Sequence, residues 1–349
     1  MPVGPMADEL APLLAVRLLR IAGTVIVTAV VAFLALLVAL RYLVFPSLDD
    51  YRDRVAQTLT RDLGQPVSIE NISGGWDGWN PRLSIRGFAI RDRAKPDGPP
   101  VLLLPQVDAT VAWTSIVALK VRLRELSIDR PQLAIRRDKS GRFHVAGFEI
   151  ETDTPRDDSP VTEWLLNQRE IVVRDALVMW NDDLRDAPQL VLDHVVFRLE
   201  QSFGRIRFGL TGSPPSELAS PLELRGEVNA SSLRDWSDTR GRFYMRLDYA
   251  DVALWREWFA VLKPVENGEG AMRVWFEVAG GKPVDVVADL ELTNARMRVQ
   301  PNLPLLDLVF LRGHVTWRHD NAKMAFAARD LTFRTRNGSS WRRSRCRSR

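Results

Sequence analysis

A chain of 349 residues with 46% hydrophobic content is long enough for more than one ordinary domain and apolar enough for real cores, which excludes a disordered protein. The formal charge of +4 sits in one place, because Asn337–Arg349 carries five arginines and no acid and leaves residues 1–336 at −1. A near-neutral body has no continuous surface for phosphates, which excludes it as a nucleic-acid binder, and the single cysteine, Cys346, excludes a disulfide framework, a thiol nucleophile or a cysteine metal site there.

Residues 1–16 read as a short N-tail, and residues 17–42 as a membrane span. From Ile21 to Leu40 runs IAGTVIVTAVVAFLALLVAL, twenty uncharged residues, enough as a helix to cross roughly 30 Å of hydrocarbon. The run exceeds the ~7–15 residue core of a cleaved signal peptide, and no small-x-small site precedes Arg41, so an uncleaved anchor is expected. Arg17 and Arg20 on one side against Arg41 on the other favour a cytoplasmic N-terminus, with everything after Tyr42 outside the cytoplasm.

Residues 43–64 read as a juxtamembrane amphipathic helix. Pro46 and Ser47 suit its start, Gly64 its end, and Leu48, Tyr51, Val55, Leu59 and Leu63 recur at spacings of three and four.

After Pro66 the period changes to two. A first β segment covers 65–150. It opens on NISGGWDGWNPRLSIRG, Asn71–Gly87, in which Gly74, Gly75 and Gly78 free the backbone for a hairpin corner carrying Trp76 and Trp79. Leu83 and Ile85 then share a face, and Gly87 is expected to form a bulge. Residues 151–168 read as a polar loop with a short helix over Val161–Gln168. A second β-meander covers 169–338. There Phe243, Met245, Leu247 and Tyr249 alternate with polar neighbours, as do Met272, Val274, Phe276 and Val278, and Gly280-Gly281 turns into Val284, Val286, Ala288 and Leu290. Val315 and Trp317 lead to a turn at Asp320-Asn321 and out through Met324 and Phe326. Short helices are expected at Thr114–Leu119 and at Asp251–Leu262, the latter with Trp255, Trp258, Phe259 and Leu262 on one side. Two stretches resemble each other, RELSIDRPQLAIRRD from Arg124 and REIVVRDALVMWNDD from Arg169. Each reads as a hairpin of strand, charged turn and strand, with one residue of offset after the turn. Residues 339–349 form an arginine-rich tail without apolar periodicity, set apart from the sheet as a truncation or frameshift ending.

No chemistry emerges. Of the four histidines, His314 and His319 lie an odd number of residues apart in one strand and so point to opposite faces, and His144 and His194 read as structural or surface groups. No phosphate loop, zincin helix or Gly-x-Ser-x-Gly elbow is present. The carboxylate pairs Asp49-Asp50, Asp157-Asp158 and Asp182-Asp183 read as solvated turns or helix starts, not general acid/base pairs. The sequence makes no case for an enzyme, a metal or a cofactor.

An N-terminal span followed by PSLDDYRDRVAQTLTRDLGQPVSIENISGGWDGWNPRLSIRGFAIRD resembles the start of the AsmA-like proteins, most closely the YhdP-type members of Gram-negative bacteria. The likeness rests on the helix ending in Leu-Gly-x-Pro-Val, the turn at Ile72–Trp76, the strand at Leu83–Gly87, and the later segment ARMRVQPNLPLLDLVFLRGHVTW from Ala295. It covers most of residues 12–338. It implies an inner-membrane anchored periplasmic protein, mainly β, whose long twisted antiparallel sheet forms a groove carrying phospholipid between the inner and outer membranes in outer-membrane biogenesis. Membrane phospholipids and other envelope proteins are then the expected partners, and nucleic acid is not.

Expected sites follow. The anchor runs from Ile21 to Leu40, Trp76 and Trp79 are groove-entrance candidates, and Leu83, Ile85, Phe243, Met245, Leu247, Met272, Val274 and Phe276 are groove-lining candidates. A ladder of about fifteen strands at ~4.8 Å would reach only ~70 Å, which suggests an N-terminal fragment. The alternative is a scaffold module, anchored likewise, that binds envelope proteins or glycans without conducting lipid.

Overall fold

The structure, a computed structural model, describes residues 10–93, 98–113, 123–150, 168–229, 239–259, 262–298, 305–320 and 323–348. The helices expected at Thr114–Leu119 and Val161–Gln168, and Asp157-Asp158, lie outside the described residues, except for Gln168.

Helix α1 (Leu10–Ala39) continues without a loop through a π turn (Leu40–Val44) into a single turn, α2 (Phe45–Ser47), a 3₁₀ turn (Asp49–Tyr51) and α3 (Arg52–Leu63). The juxtamembrane helix therefore does not start afresh at Pro46. Proline lacks the N–H that would bond one turn back, and the hydrogen-bond ladder loosens just ahead of it, where the Phe45 N–H reaches Leu40 O. The arm ends where the sequence indicates, at Gly64 in the left-handed conformation, φ 69°, its N–H bonded to Thr60 O. Arg20–Ser47 is long and apolar enough to cross a membrane. The stripe expected on α3 stays open, with Tyr51 and Val55 exposed and no α3 residue buried.

The rest is mainly one mixed sheet. Its strands are β1 (Val67–Ser68), β2 (Asn71–Asp77), β3 (Asn80–Ile90), β4 (Leu102–Val111), β5 (Leu123–Asp129), β6 (Gln132–Arg137), β7 (Phe143–Val145), β8 (Phe148–Ile150), β9 (Glu170–Asp182), β10 (Leu190–Ser202), β11 (Arg205–Ser213), β12 (Leu222–Asn229), β13 (Arg240–Asp251), β14 (Val265–Ala279), β15 (Lys282–Met297), β16 (Leu306–Asp320), β17 (Lys323–Thr335) and β18 (Ser340–Ser348). β3 to β5 form an antiparallel meander, and so do β9 to β18. β1 and β2 line one edge along β3. Asp49 covers that edge by accepting from the Ile72 N–H at 3.0 Å and from Asn71 Nδ2 at 3.1 Å. The residues set apart as a tail supply β18.

The two similar stretches are not hairpins. β9 runs parallel to β5 and then to β6, in a single register: Leu126 faces Ile171 and Arg137 faces Asp182, both 45 residues on, with no offset at the turn. What reads as a charged turn is a left-handed residue inside an otherwise extended line, Arg130 (φ 52°) in one stretch and Asp175 (φ 53°) in the other. The repeat thus lies side by side with itself. The bulge expected at Gly87 is a kink as well, since Arg86 and Phe88 keep the same register with Gln106 and Leu104.

Among the described residues, the helix expected at Asp251–Leu262 is a 3₁₀ turn, Leu254–Glu257, capped by Asp251 Oδ1, which accepts from the Ala253 and Leu254 N–H groups. Its aromatics do cluster: Trp255 lies 5.8 Å from Trp258 and 5.7 Å from Phe259. Both indoles donate to backbone carbonyls, of Leu218 and Pro188, which docks the turn on the end of β10.

Of the described carboxylate pairs, Asp49-Asp50 does stand in a first helical turn, whereas Asp182-Asp183 is not a plain solvated turn. Asp182 is buried between Arg185 at 2.7 Å and Arg137 at 3.7 Å, while Asp49 serves the sheet edge.

Candidate functional site: a continuous apolar face

In a β-sheet, residues paired across strands point to the same side, so a face can be followed from strand to strand through the register. Starting at Ile72 on β2, the partners are Ile85, Val107 and Ile128, then Val173 on β9, Phe197, Leu210, Leu224, Met245, Val274, Ala288, Val315 and Ala328 on β17. Every position is apolar across thirteen strands, a lateral distance of roughly 60 Å at ~4.8 Å per strand. The row beside it is apolar too: Leu83, Ala109, Leu126, Ile171, Leu199, Phe208, Gly226, Phe243, Phe276, Val286, Trp317 and Phe326. The parallel step from β5 to β9 keeps both rows unbroken, because like residues of the repeat sit in register there.

All eight lining candidates lie on this face. Leu83 and Phe243–Phe276 belong to one row, Ile85, Met245 and Val274 to the other, and Leu247–Met272 extends it towards Leu290. Burial divides the face. Leu123, Leu126, Ile171, Leu199, Ile206 and Val228 are buried together as a core, with Phe208 and Phe243 packed against them. Beyond β13 the positions of the same rows are half-buried from Val274 and Phe276 to Val315 and Trp317, Phe326 is 49% exposed, and Ala328 at the end is buried.

The opposite face is charged. Arg242 pairs with Glu277 at 3.0 Å, Arg318 with Asp285 at 2.6 Å, and Arg205 and Arg207 with Glu227. His314 meets Asp289 at 2.7 Å on this face, while His319 stacks on Trp317 on the apolar one, so the two histidines do point apart. His144 and His194 each sit against an aspartate, Asp138 and Asp175. Among the described residues no group of three or more His, Cys, Asp or Glu is placed to hold a metal ion. A hollow of about 1350 Å³ at β13–β17 is lined by charged residues such as Arg273, Glu291, Arg312 and Arg329 together with Leu247, Met272 and Leu290 of the apolar rows.

Near β2 the charged face holds a buried carboxylate. Burial opposes the ionisation of Asp108, but hydrogen bonds from Arg82, Ser84 and Gln106 outweigh it and hold the carboxyl below the usual range.

The entrance candidates separate. Trp79, at the tip of the β2–β3 hairpin, is 81% exposed. Trp76 faces the helical arm, 5.5 Å from Phe45 and 6.5 Å from Trp113, and its Nε1 is buried with no hydrogen-bond partner among the described residues. Trp113 in turn meets Phe33 of α1 at 4.9 Å. Sequence reasoning missed Phe33, Phe45 and Trp113, since nothing local links them. The anchor ends, Ile21 and Leu40, lie within the exposed apolar helix.

A family model described as YhdP protein matches residues 6–349. No curated protein matches the chain.

Proposed function

The chain belongs to the YhdP family, an AsmA-like group, and from that premise we propose that it is an inner-membrane anchored, periplasmic groove protein that takes part in moving phospholipid towards the outer membrane. One observation carries the reading: an apolar face that runs unbroken across thirteen strands and is left half-open beyond β13. An uncovered apolar strip of that length is costly in water, at about 25 cal/mol per Å², unless something apolar lies on it. An acyl chain fits that need, and a charged opposite face suits an aqueous compartment. The span Ile21–Leu40 would hold the assembly at the inner membrane, N-terminus inside. Membership in a transport family, with no catalytic constellation in the sequence, supports a carrier and not an enzyme.

Crosslinking tests this. A photoreactive residue at Val274 should yield phospholipid adducts in cells, and one at the adjacent Arg273, on the charged face, should not. Adducts to protein or glycan at Met245, Val274 and Val286, with none to lipid, would replace the transport reading by the scaffold one.

A further inference from the structure

We propose that the β2–β3 corner is embedded in the bilayer beside the span, at acyl-chain depth, so that the apolar face of the sheet begins within the leaflet instead of above it. The proposal rests on the anchoring part of the reading above and not on lipid conduction.

The argument starts from a ladder of four rings. Phe33 meets Trp113 at 4.9 Å, Trp113 stacks on Trp76 at 6.5 Å and 29°, and Trp76 meets Phe45 at 5.5 Å. The ladder runs down the helical arm from its outer end into the apolar run. Phe33 lies eight residues before Arg41, about 12 Å below that first charge at ~1.5 Å per residue. One leaflet offers only ~15 Å of hydrocarbon. A ring touching Phe33 from the side is therefore level with acyl chains.

Trp79 is tied to the same level, because Trp113 Nε1 donates to its carbonyl oxygen at 3.0 Å. Trp79 itself is 81% exposed. Outside a corner docked on a span, the remaining neighbour is lipid, and an amphipathic indole is well suited to it.

The docking is close. A Cβ built at Gly74 would fall 2.3 Å from Phe45 Cδ1, so the strand is pressed onto the arm. On the strand's free edge Asp49 takes up the Ile72 N–H, one of the groups that hydrocarbon would otherwise leave unpaired. Asp77, exposed at the corner, is the polar group that insertion must accommodate. A carboxylate at this depth draws water and headgroups inward and thins the leaflet locally. Loosened lipid beside the first strands is what a groove opening sideways into the leaflet would need.

The test uses the full chain with Cys346→Ser, labelled through Trp79→Cys with an environment-sensitive fluorophore, in phosphatidylethanolamine–phosphatidylglycerol vesicles. Nitroxides on the acyl chains should quench it several-fold more than aqueous iodide does, and Lys139→Cys in the exposed β6–β7 turn should show the reverse. Equal behaviour at the two positions overturns the proposal. Should Trp79→Cys not fold, Asn80→Cys reads the same corner. The Val274 crosslink is scored separately, so lipid adducts with a water-exposed corner would sink this inference alone, and a buried corner without adducts would sink only the transport reading.

Discussion

Phe243 and Phe276 lie ring on ring across β13 and β14, with centroids 4.7 Å apart and planes 6° from parallel. The pair sits where the apolar face changes character. On one side Phe243 packs against Phe208 at 5.9 Å and the buried core, and on the other Phe276 is followed by Val286 and Trp317 on the half-open part. The two rings can therefore be used to separate stability from surface function.

Phe276→Ser should cost only about 1–2 kcal/mol, less than the ~3–5 typical of a fully buried phenylalanine, while markedly reducing lipid adducts from Val274. Phe243→Ser, on the core, should cost more. Urea unfolding of both variants beside the crosslink yield checks the split.

Gly226 lies between two rings of the same row. A Cβ there would stand 2.5 Å from Phe208 Cε1 and 3.0 Å from Phe243 Cδ1. Gly226→Ala should then destabilise by about 1–3 kcal/mol through overpacking. Phe208→Ala in the same chain should recover part of that loss, which a double-mutant cycle on unfolding midpoints measures.

Two adjacent aspartates should differ sharply. Asp182 is buried against half-buried Arg137 and Arg185, and Asp182→Asn should cost about 2–4 kcal/mol by removing the counter-charge of both guanidiniums. Asp183 pairs with an Arg136 that is 57% exposed, so Asp183→Asn should change stability by under about 1 kcal/mol. Equal losses would show that burial does not set the difference.

Asp108 contributes to the acid limit of the fold. Its folded carboxyl titrates below the unfolded value of about 3.9, so its contribution is full above that pH and is lost as pH falls through the lower, folded value. Stability should decline from about pH 4 downward, and Asp108→Asn should flatten that limb while lowering stability at neutral pH. Thermal melts across pH 2–7 read both effects.

Local signals were legible wherever the physics is local. Twenty apolar residues can only avoid water in a membrane or a core. The hairpin at Gly280-Gly281 is marked by two residues that tolerate left-handed φ, and the end of α3 by Gly64. Asp251–Leu262 was misread as a helix because four apolar residues at helical spacing fit a single docked turn equally well, once Asp251 caps it and the two indoles find carbonyls. Asp182 looked solvated because a pair of aspartates says nothing about the two arginines that come to bury it.

By itself the sequence determined the apolar helix long enough to cross a membrane, the period of two and the chemical contrast between alternate residues, because each follows from neighbours within one turn or one strand. Only the tertiary structure decided that Leu126 and Ile171 stand side by side in a parallel pair, that Phe33 meets Trp113, and that the apolar residues of thirteen strands fall on one continuous face. Register joins residues far apart in the chain, and a shift of one residue would turn a strand's apolar side outward. Pairing between distant strands, and not alternation alone, makes the face.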